Sequence, residues 1–290
     1  MKGRVKQEDE CDEPSRCSVL IERIDDPADP RLADYRDLKD AALRLRQGLF
    51  IAESREVVRK LLGGARFRTR SVLLTPPGLE SLRGVLEAAD PAVRILLTRQ
   101  DIVRAVVGYN FHQGCVAIGE RGTEASRHEL LDPAGRRLVL ALEDITNPDN
   151  IGGIFRNARA FGADGVVLSA ACADPLYRKA IRVSIGGSLT VPFARLGDWH
   201  GDLPQLRETG YTVIALTPRA GAVDIGELGA TRPVPERVAL LLGAEGEGLS
   251  ASTRRAADLE ARIPMAPGVD SLNVATACGI ALHRLRGSPG

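Results

Sequence analysis

Long apolar runs are missing from this 290-residue sequence. The longest, such as 138–142 and 238–242, hold five residues, far short of the ~18 that a membrane-spanning helix needs. The start of the chain has Glu8, Asp9, Glu10, Asp12 and Glu13 where a signal peptide would carry its apolar stretch, so nothing directs export and the protein is expected in the cytoplasm. Cysteine is scarce too. Cys11, Cys17, Cys115, Cys172 and Cys278 are odd in number, widely spaced and without a CxxC pair, which points to reduced, buried thiols rather than a disulfide framework. Zinc on Cys11 and Cys17 would lack a second Cys/His pair, so no metal is expected. An excess of one charge is also absent: 39 basic against 38 acidic residues leave +1, which by itself argues against a nucleic-acid binder. The hydrophobic share of 44% and charged share of 27% exclude wholesale disorder and collagen-like sequence.

The even total hides a polarity. Residues 1–35 carry 6 basic and 10 acidic side chains, residues 36–127 carry 16 and 10, and residues 136–290 carry 17 and 16. The positive segment is nearly all arginine, whose planar fork suits phosphate better than a lysine point charge. A solvated, arginine-rich surface accounts for the charge equally well.

Length suggests about two domains, and the pattern divides accordingly. Residues 1–18 are polar and non-periodic and read as a disordered leader. Residues 19–122 alternate strands (49–52, 72–74, 95–97, 115–118) with helices (35–45, 54–62, 79–88, 101–107), a small α/β domain with a Pro-Pro-Gly turn at 76–78. Residues 123–135 read as a polar linker. From 136 to 290 strands are expected at 138–142, 166–168, 190–193, 211–216 and 238–242, with helices at 151–161, 177–185, 250–257, 272–286 and one ending at Thr209-Gly210. Strands that are apolar throughout indicate a parallel sheet covered on both faces.

Three segments join a strand end, a polar or glycine-rich loop and a helix start, the place where open α/β sheets bind ligands. The first runs from Glu143 to Asn157; Asn150 fits a helix N-cap, and Arg156 and Arg159 follow on the helix. The second, 242–250, has Gly243, Gly246 and Gly248 in GxxGxG order with Glu245 and Glu247 between. Carboxylates there disfavour a pyrophosphate, and no GxGxxG or GK[ST] exists to support a nicotinamide or P-loop enzyme. The third, 263–277, contains Ile263-Pro264-Met265 and Ser271-Leu272-Asn273-Val274, with Ser271 a natural N-cap for a final helix apolar around most of its circumference. A helix of that kind suits a subunit interface.

In this order the three segments resemble the SpoU/TrmH-type RNA ribose 2′-O-methyltransferases of the SPOUT superfamily. The matching residues are Asn150, Gly152 and Arg156, then Gly243-x-Glu245-x-x-Gly248-Leu249, then Ile263-Pro264-Met265 with Ser271-Leu272-Asn273-Val274. Phe50-Ile51-Ala52-Glu53 and His112-Gln113-Gly114 are similar to segments of the ribosomal-protein-like substrate domain of many members, although Ser54 stands where they usually show glycine. The resemblance implies an α/β fold whose C-terminal parallel sheet is threaded into a trefoil knot, S-adenosylmethionine as cofactor, RNA (rRNA or tRNA) as substrate, and a homodimer. It places Leu216, Thr217, Gly243, Glu245, Ile263, Leu272 and Asn273 around the cofactor, and Arg156 at the catalytic position; on chemical grounds Asn150, Ser271 and Asn273 are read as orienting the reacting groups, with Glu245 and Glu247 as alternative bases.

Methyl transfer from a sulfonium needs in-line placement of the nucleophile rather than a metal. A guanidinium is a poor base, so Arg156 is read as positioning the target phosphate and stabilising the alkoxide, the proton acceptor being left open. Its helix is expected to face the same strand ends as the other two motifs. RNA contacts are expected from Arg159 and from Arg66, Arg68 and Arg70, which alternate onto one face if 64–74 is extended, with Arg55 and Arg59 extending the patch. A base-methylating SPOUT enzyme, expected to carry a carboxylate in place of Arg156, and a non-catalytic RNA-binding protein are the competing readings.

Overall fold

In the computed structural model, residues 20–36, 45–64, 66–108, 113–124, 126–131 and 137–286 are described. The expected leader, Cys11, Cys17, His112, most of the helix at 35–45 and part of the linker lie outside them. No helix among the described residues is long and apolar enough to cross a membrane.

The first unit contains β1 (Ile21–Arg23), β2 (Leu49–Glu53), α1 (Arg55–Gly63), β3 (Thr69–Leu74), α2 (Pro76–Glu87), β4 (Arg94–Leu97), α3 (Gln100–Val107) and β5 (Cys115–Glu120). Its sheet runs β1-β4-β3-β5-β2, with β1, β4 and β3 parallel and β5 antiparallel to both β3 and β2. Ser54 caps α1 by accepting from Val57 N. The expected turn at 76–78 is instead the first turn of α2: Thr75 is its cap and the two prolines occupy its opening positions, where a missing N–H costs nothing.

α4 (Arg127–Leu130) follows. It corrects the linker reading, because Leu130 and Leu131 are buried with Val139, Val167 and Ala194 of the second unit. That unit continues with β6 (Arg137–Leu142), α5 (Pro148–Phe161), β7 (Gly165–Leu168), α6 (Arg178–Val183), β8 (Phe193–Arg195), α7 (Trp199–Asp202), α8 (Gln205–Glu208), β9 (Thr212–Leu216), β10 (Val223–Asp224), β11 (Arg237–Leu242), α9 (Ala251–Ala256), β12 (Leu259–Arg262) and α10 (Val274–Leu285). Seven strands form one sheet in the order β10-β12-β9-β11-β6-β7-β8, every neighbouring pair parallel. Successive strand residues point to opposite faces, and here both faces are covered. Leu140, Leu142, Leu240 and Leu242 pack with α5 and α10, while Val139, Ala141, Ala239 and Leu241 pack with Trp199, Leu203, Leu206 and Leu249. The strands therefore read as unbroken apolar runs.

The two sheets meet through one continuous core. Phe50 and Phe67 of the first unit and Phe193 and Phe155 of the second form a row of rings with centroids 5.3, 6.5 and 5.7 Å apart. Two arginine–carboxylate forks flank it. Arg178 meets Glu53 at 2.8 and 3.0 Å, and Arg121 meets Asp174 at 2.6 and 3.0 Å.

Candidate active site

Three neighbouring strands, β12, β9 and β11, end at the same edge of the parallel sheet, and the segments that leave them enclose a cavity of about 330 Å³. That size is in the range of small-molecule sites. Leu216 and Thr217 leave β9, Gly243 and Glu245 leave β11, Ile263 leaves β12, and Leu272 and Asn273 lead into α10; all seven line the cavity, as does Ser271. Met265, from the Ile263-Pro264-Met265 segment, lines it as well, and so does Pro218, which carries no signal of its own in the sequence.

The glycine loop is held tightly. Ala244 O accepts from Gly248 N at 3.0 Å, and Gly246 and Gly248 have φ of +89° and +70°, a region that favours glycine. Beneath the loop, the buried carboxylate of Glu143, just past β6, accepts from Ser250 N at 2.9 Å, Ser250 Oγ at 2.8 Å and Thr253 Oγ1 at 2.6 Å. Trp199 Nε1 donates in turn to Thr253 Oγ1 at 3.1 Å. Glu143→Ala leaves these donors without their acceptor, so a loss of about 3 kcal/mol in urea-denaturation stability is expected. Stability within experimental error of the parent would remove Glu143 from this role.

A second network fixes the cavity rim. Asn273, not Ser271, is the N-cap of α10: its Oδ1 accepts from Ala275 N at 3.0 Å and Thr276 N at 3.2 Å. The amide orientation is thereby set, and Nδ2 donates to Glu245 Oε1 at 3.0 Å and Asn150 Oδ1 at 2.8 Å. Asn150 likewise is not a cap. Asn147 caps α5, accepting from Asp149 N, and Asn150 sits inside the first turn, 4% exposed. With its oxygen taken by Asn273, Asn150 Nδ2 is a buried donor with no partner among the described residues, a costly state for a polar group unless a ligand relieves it.

Arg156 stands elsewhere. Asn273, Val274 and Ala277 face the cavity, whereas Ala275, Thr276, Gly279 and Ile280 face an open hollow of about 640 Å³ on the other flank of α10, lined also by Gly153 and Arg156. Its helix therefore does not aim Arg156 at the strand ends of its own cavity, contrary to the expectation from spacing. Arg156 and Arg159 are exposed.

The expected single face of Arg66, Arg68 and Arg70 does not form either. β3 begins at Thr69, so strand periodicity does not reach Arg66. Its guanidinium lies 4.9 Å from the Phe67 and Phe193 centroids and donates to Val191 O at 2.6 Å. Arg68 and Arg70 are exposed but paired with Glu120 at 3.2 Å and Asp34 at 3.3 Å. Arg59 pairs with Glu56 at 2.5 Å, and Arg55 is exposed.

The three described cysteines are buried. Desolvation pushes the Cys115 thiol up to about 12 and raises Cys172 and Cys278 as well, which makes them poor nucleophiles.

Residues 137–283, the whole of the parallel sheet and its site, match the model of the SpoU rRNA Methylase family. The chain belongs to that family. A Mycobacterium tuberculosis protein described as an uncharacterized tRNA/rRNA methyltransferase is 40% identical over 267 residues, 91% of each chain. The 23S rRNA (guanosine-2′-O-)-methyltransferase of Ralstonia nicotianae is 34% identical over 204 residues, 69% of this chain and 80% of that one. Among solved structures, the AdoMet-bound rRNA methyltransferase of Sinorhizobium meliloti superposes with a TM-score of 0.76 at 27% identity, covering 92% of this chain and 97% of that one. The SpoU membership and the parallel-sheet fold thus agree with the sequence-based expectation.

Proposed function

We propose that this protein transfers the methyl group of S-adenosylmethionine to a ribose 2′-hydroxyl in structured rRNA or tRNA. The observation that carries the reading is the convergence of Leu216, Thr217, Gly243, Glu245, Ile263, Leu272 and Asn273 on one cavity at three parallel strand ends. The residues suit the cofactor. Leu216, Leu242, Ile263 and Leu272 offer apolar walls, the Glu245 carboxylate complements a cationic ligand, and the unpartnered Asn150 amide stands behind Asn273. Relatives whose names specify 2′-O methylation of 23S rRNA add to it.

The bound cofactor supplies an electrophilic methyl carbon. The chain's own task is to hold a 2′-hydroxyl in line and to stabilise charge on its oxygen. Arg156 is assigned to the target phosphate and the developing alkoxide, Asn150, Asn273 and Ser271 to orientation, and Glu245 and Glu247 are alternative proton acceptors. The first unit, residues 19–122, is assigned to substrate binding and residues 136–290 to methyl transfer, with the trefoil knot of the family. A homodimer belongs to this reading. The hollow beside α10 is lined by the small residues Gly153, Ala275 and Gly279 and by the exposed Ile280, and a second copy seated there brings Arg156 to the seam. The work takes place in the cytoplasm, where the RNA is.

Purified protein incubated with methyl-labelled S-adenosylmethionine and total rRNA or tRNA should yield 2′-O-methylnucleosides on digestion, from a species of dimeric mass by light scattering. Label on a base would favour a base-methylating enzyme. No label, with RNA still bound, would favour a non-catalytic binder.

A further inference from the structure

Lys60 lies in the last turn of α1 in the first unit, yet its side chain ends on the second. The ammonium donates to Ile185 O at 2.6 Å, and the stem lies over Gly186, where an added Cβ would come within 3.3 Å of Lys60 Cδ. Ile185 has φ +49°, a left-handed conformation that is rare for a β-branched residue and costs on the order of 1–3 kcal/mol unless its surroundings fix it. The turn continues into Gly187, which is pressed against α5: a Cβ there would stand 2.7 Å from Phe155 O and 3.3 Å from Arg156 N. Lys60 thus reaches the turn that abuts the Arg156 backbone.

The charge around this turn is one-sided. Arg156 and Arg159 are three residues apart on α5, hence on one side of the helix, and neither side chain has a hydrogen-bond or ion-pair partner among the described residues. Lys60 has no carboxylate partner there either, because Glu56, one turn back on α1, is engaged by Arg59. Burial holds the Lys60 ammonium below the ordinary lysine range, and Arg159 and Arg156 push the same way against the opposing pull of Glu56. One ammonium proton satisfies Ile185 O, which leaves two for another acceptor.

We propose that Lys60, with Arg156 and Arg159, binds a phosphodiester of the substrate RNA, so that the first unit supplies a cation directly to the methyl-transfer face. The inference rests on the RNA reading above. It differs from a purely structural role, in which Lys60 only ties the units together through Ile185.

The test is Lys60→Met in the full chain, which keeps the stem over Gly186 and removes the charge. RNA affinity should fall about tenfold at moderate salt. The slope of log affinity against log salt should shrink by roughly 0.7 to 0.9, as for one lost phosphate contact. S-adenosylmethionine affinity should not change, and Lys60→Arg should restore the slope. An unchanged slope with a lower melting temperature would overturn the proposal and leave Lys60 a strut. Should the methionine variant misfold, acetylation of Lys60 in the parent protein gives the same decision: protection by RNA is expected, and equal labelling with and without RNA overturns the assignment. Failure of the parent protein to bind or methylate RNA would overturn the proposed function instead.

Discussion

Arg156→Ala should slow methyl transfer a hundredfold or more at saturating RNA, which corresponds to about 3 kcal/mol of lost charge stabilisation, while S-adenosylmethionine affinity stays that of the parent. The separation of effects follows from position. Arg156 is absent from the lining of the cavity that gathers Gly243, Glu245 and Asn273, and lies across the α10 turn from it. Its exposed guanidinium stabilises no neighbour by an ion pair or hydrogen bond among the described residues, so truncation should leave the fold intact. Single-turnover rates with RNA in excess, beside a calorimetric titration with the cofactor, measure the two quantities independently. Turnover close to the parent would remove Arg156 from the reaction. Loss of cofactor binding in step with turnover would instead make it a structural element of the pocket.

What the sequence discloses about this site depends on how local the physics is. The strands of the parallel sheet are legible at β6, β9 and β11 because each is buried on both faces and reads as an apolar run. β12 is not: Glu260 and Arg262 break the apolar run, and its place beside β9 comes from pairing with residues more than forty positions earlier. β1 and β10, three and two residues long at sheet edges, carry too little pattern to be seen. The capping assignments miss by a few residues for a nameable reason. Asn147-Pro148 already contains both a cap and a proline suited to the first helical position, but Asn150 offers the same side chain closer to the apolar run. Ser271 likewise competes with Asn273 two residues on. The hydrogen bond that joins Asn150 to Asn273 links residues 123 apart, which no local window contains. The same holds for Lys60 and Arg66, whose acceptors lie 125 residues away on the other unit.

At the proposed cofactor site, the glycine loop tolerates a side chain poorly at Gly243. A Cβ built at Gly243 stands 2.3 Å from Gly248 C and from Leu249 N, and 2.5 Å from Gly248 O. All three are backbone atoms, so no side-chain rotation relieves the overlap and the loop must open. Opening breaks the Gly248 N to Ala244 O bond at 3.0 Å and carries Glu245 away from Asn273 Nδ2, its partner at 3.0 Å. It also pulls on Ser250, which Glu143 anchors at the start of α9. Two costs therefore coincide: strain in the folded chain of about 1–3 kcal/mol, typical of a forced core insertion, and loss of the preformed cofactor wall. Gly243→Ala should accordingly weaken S-adenosylmethionine binding at least about a hundredfold by calorimetry, with a lower melting temperature that saturating cofactor restores only in part, since ligand stabilisation grows as the logarithm of concentration over Kd. RNA affinity at low salt should fall far less, because the basic residues of α1 and α5 lie outside this loop. Parent-like cofactor affinity in a folded Gly243→Ala protein would mean that the loop opens without cost and that the cofactor is held elsewhere.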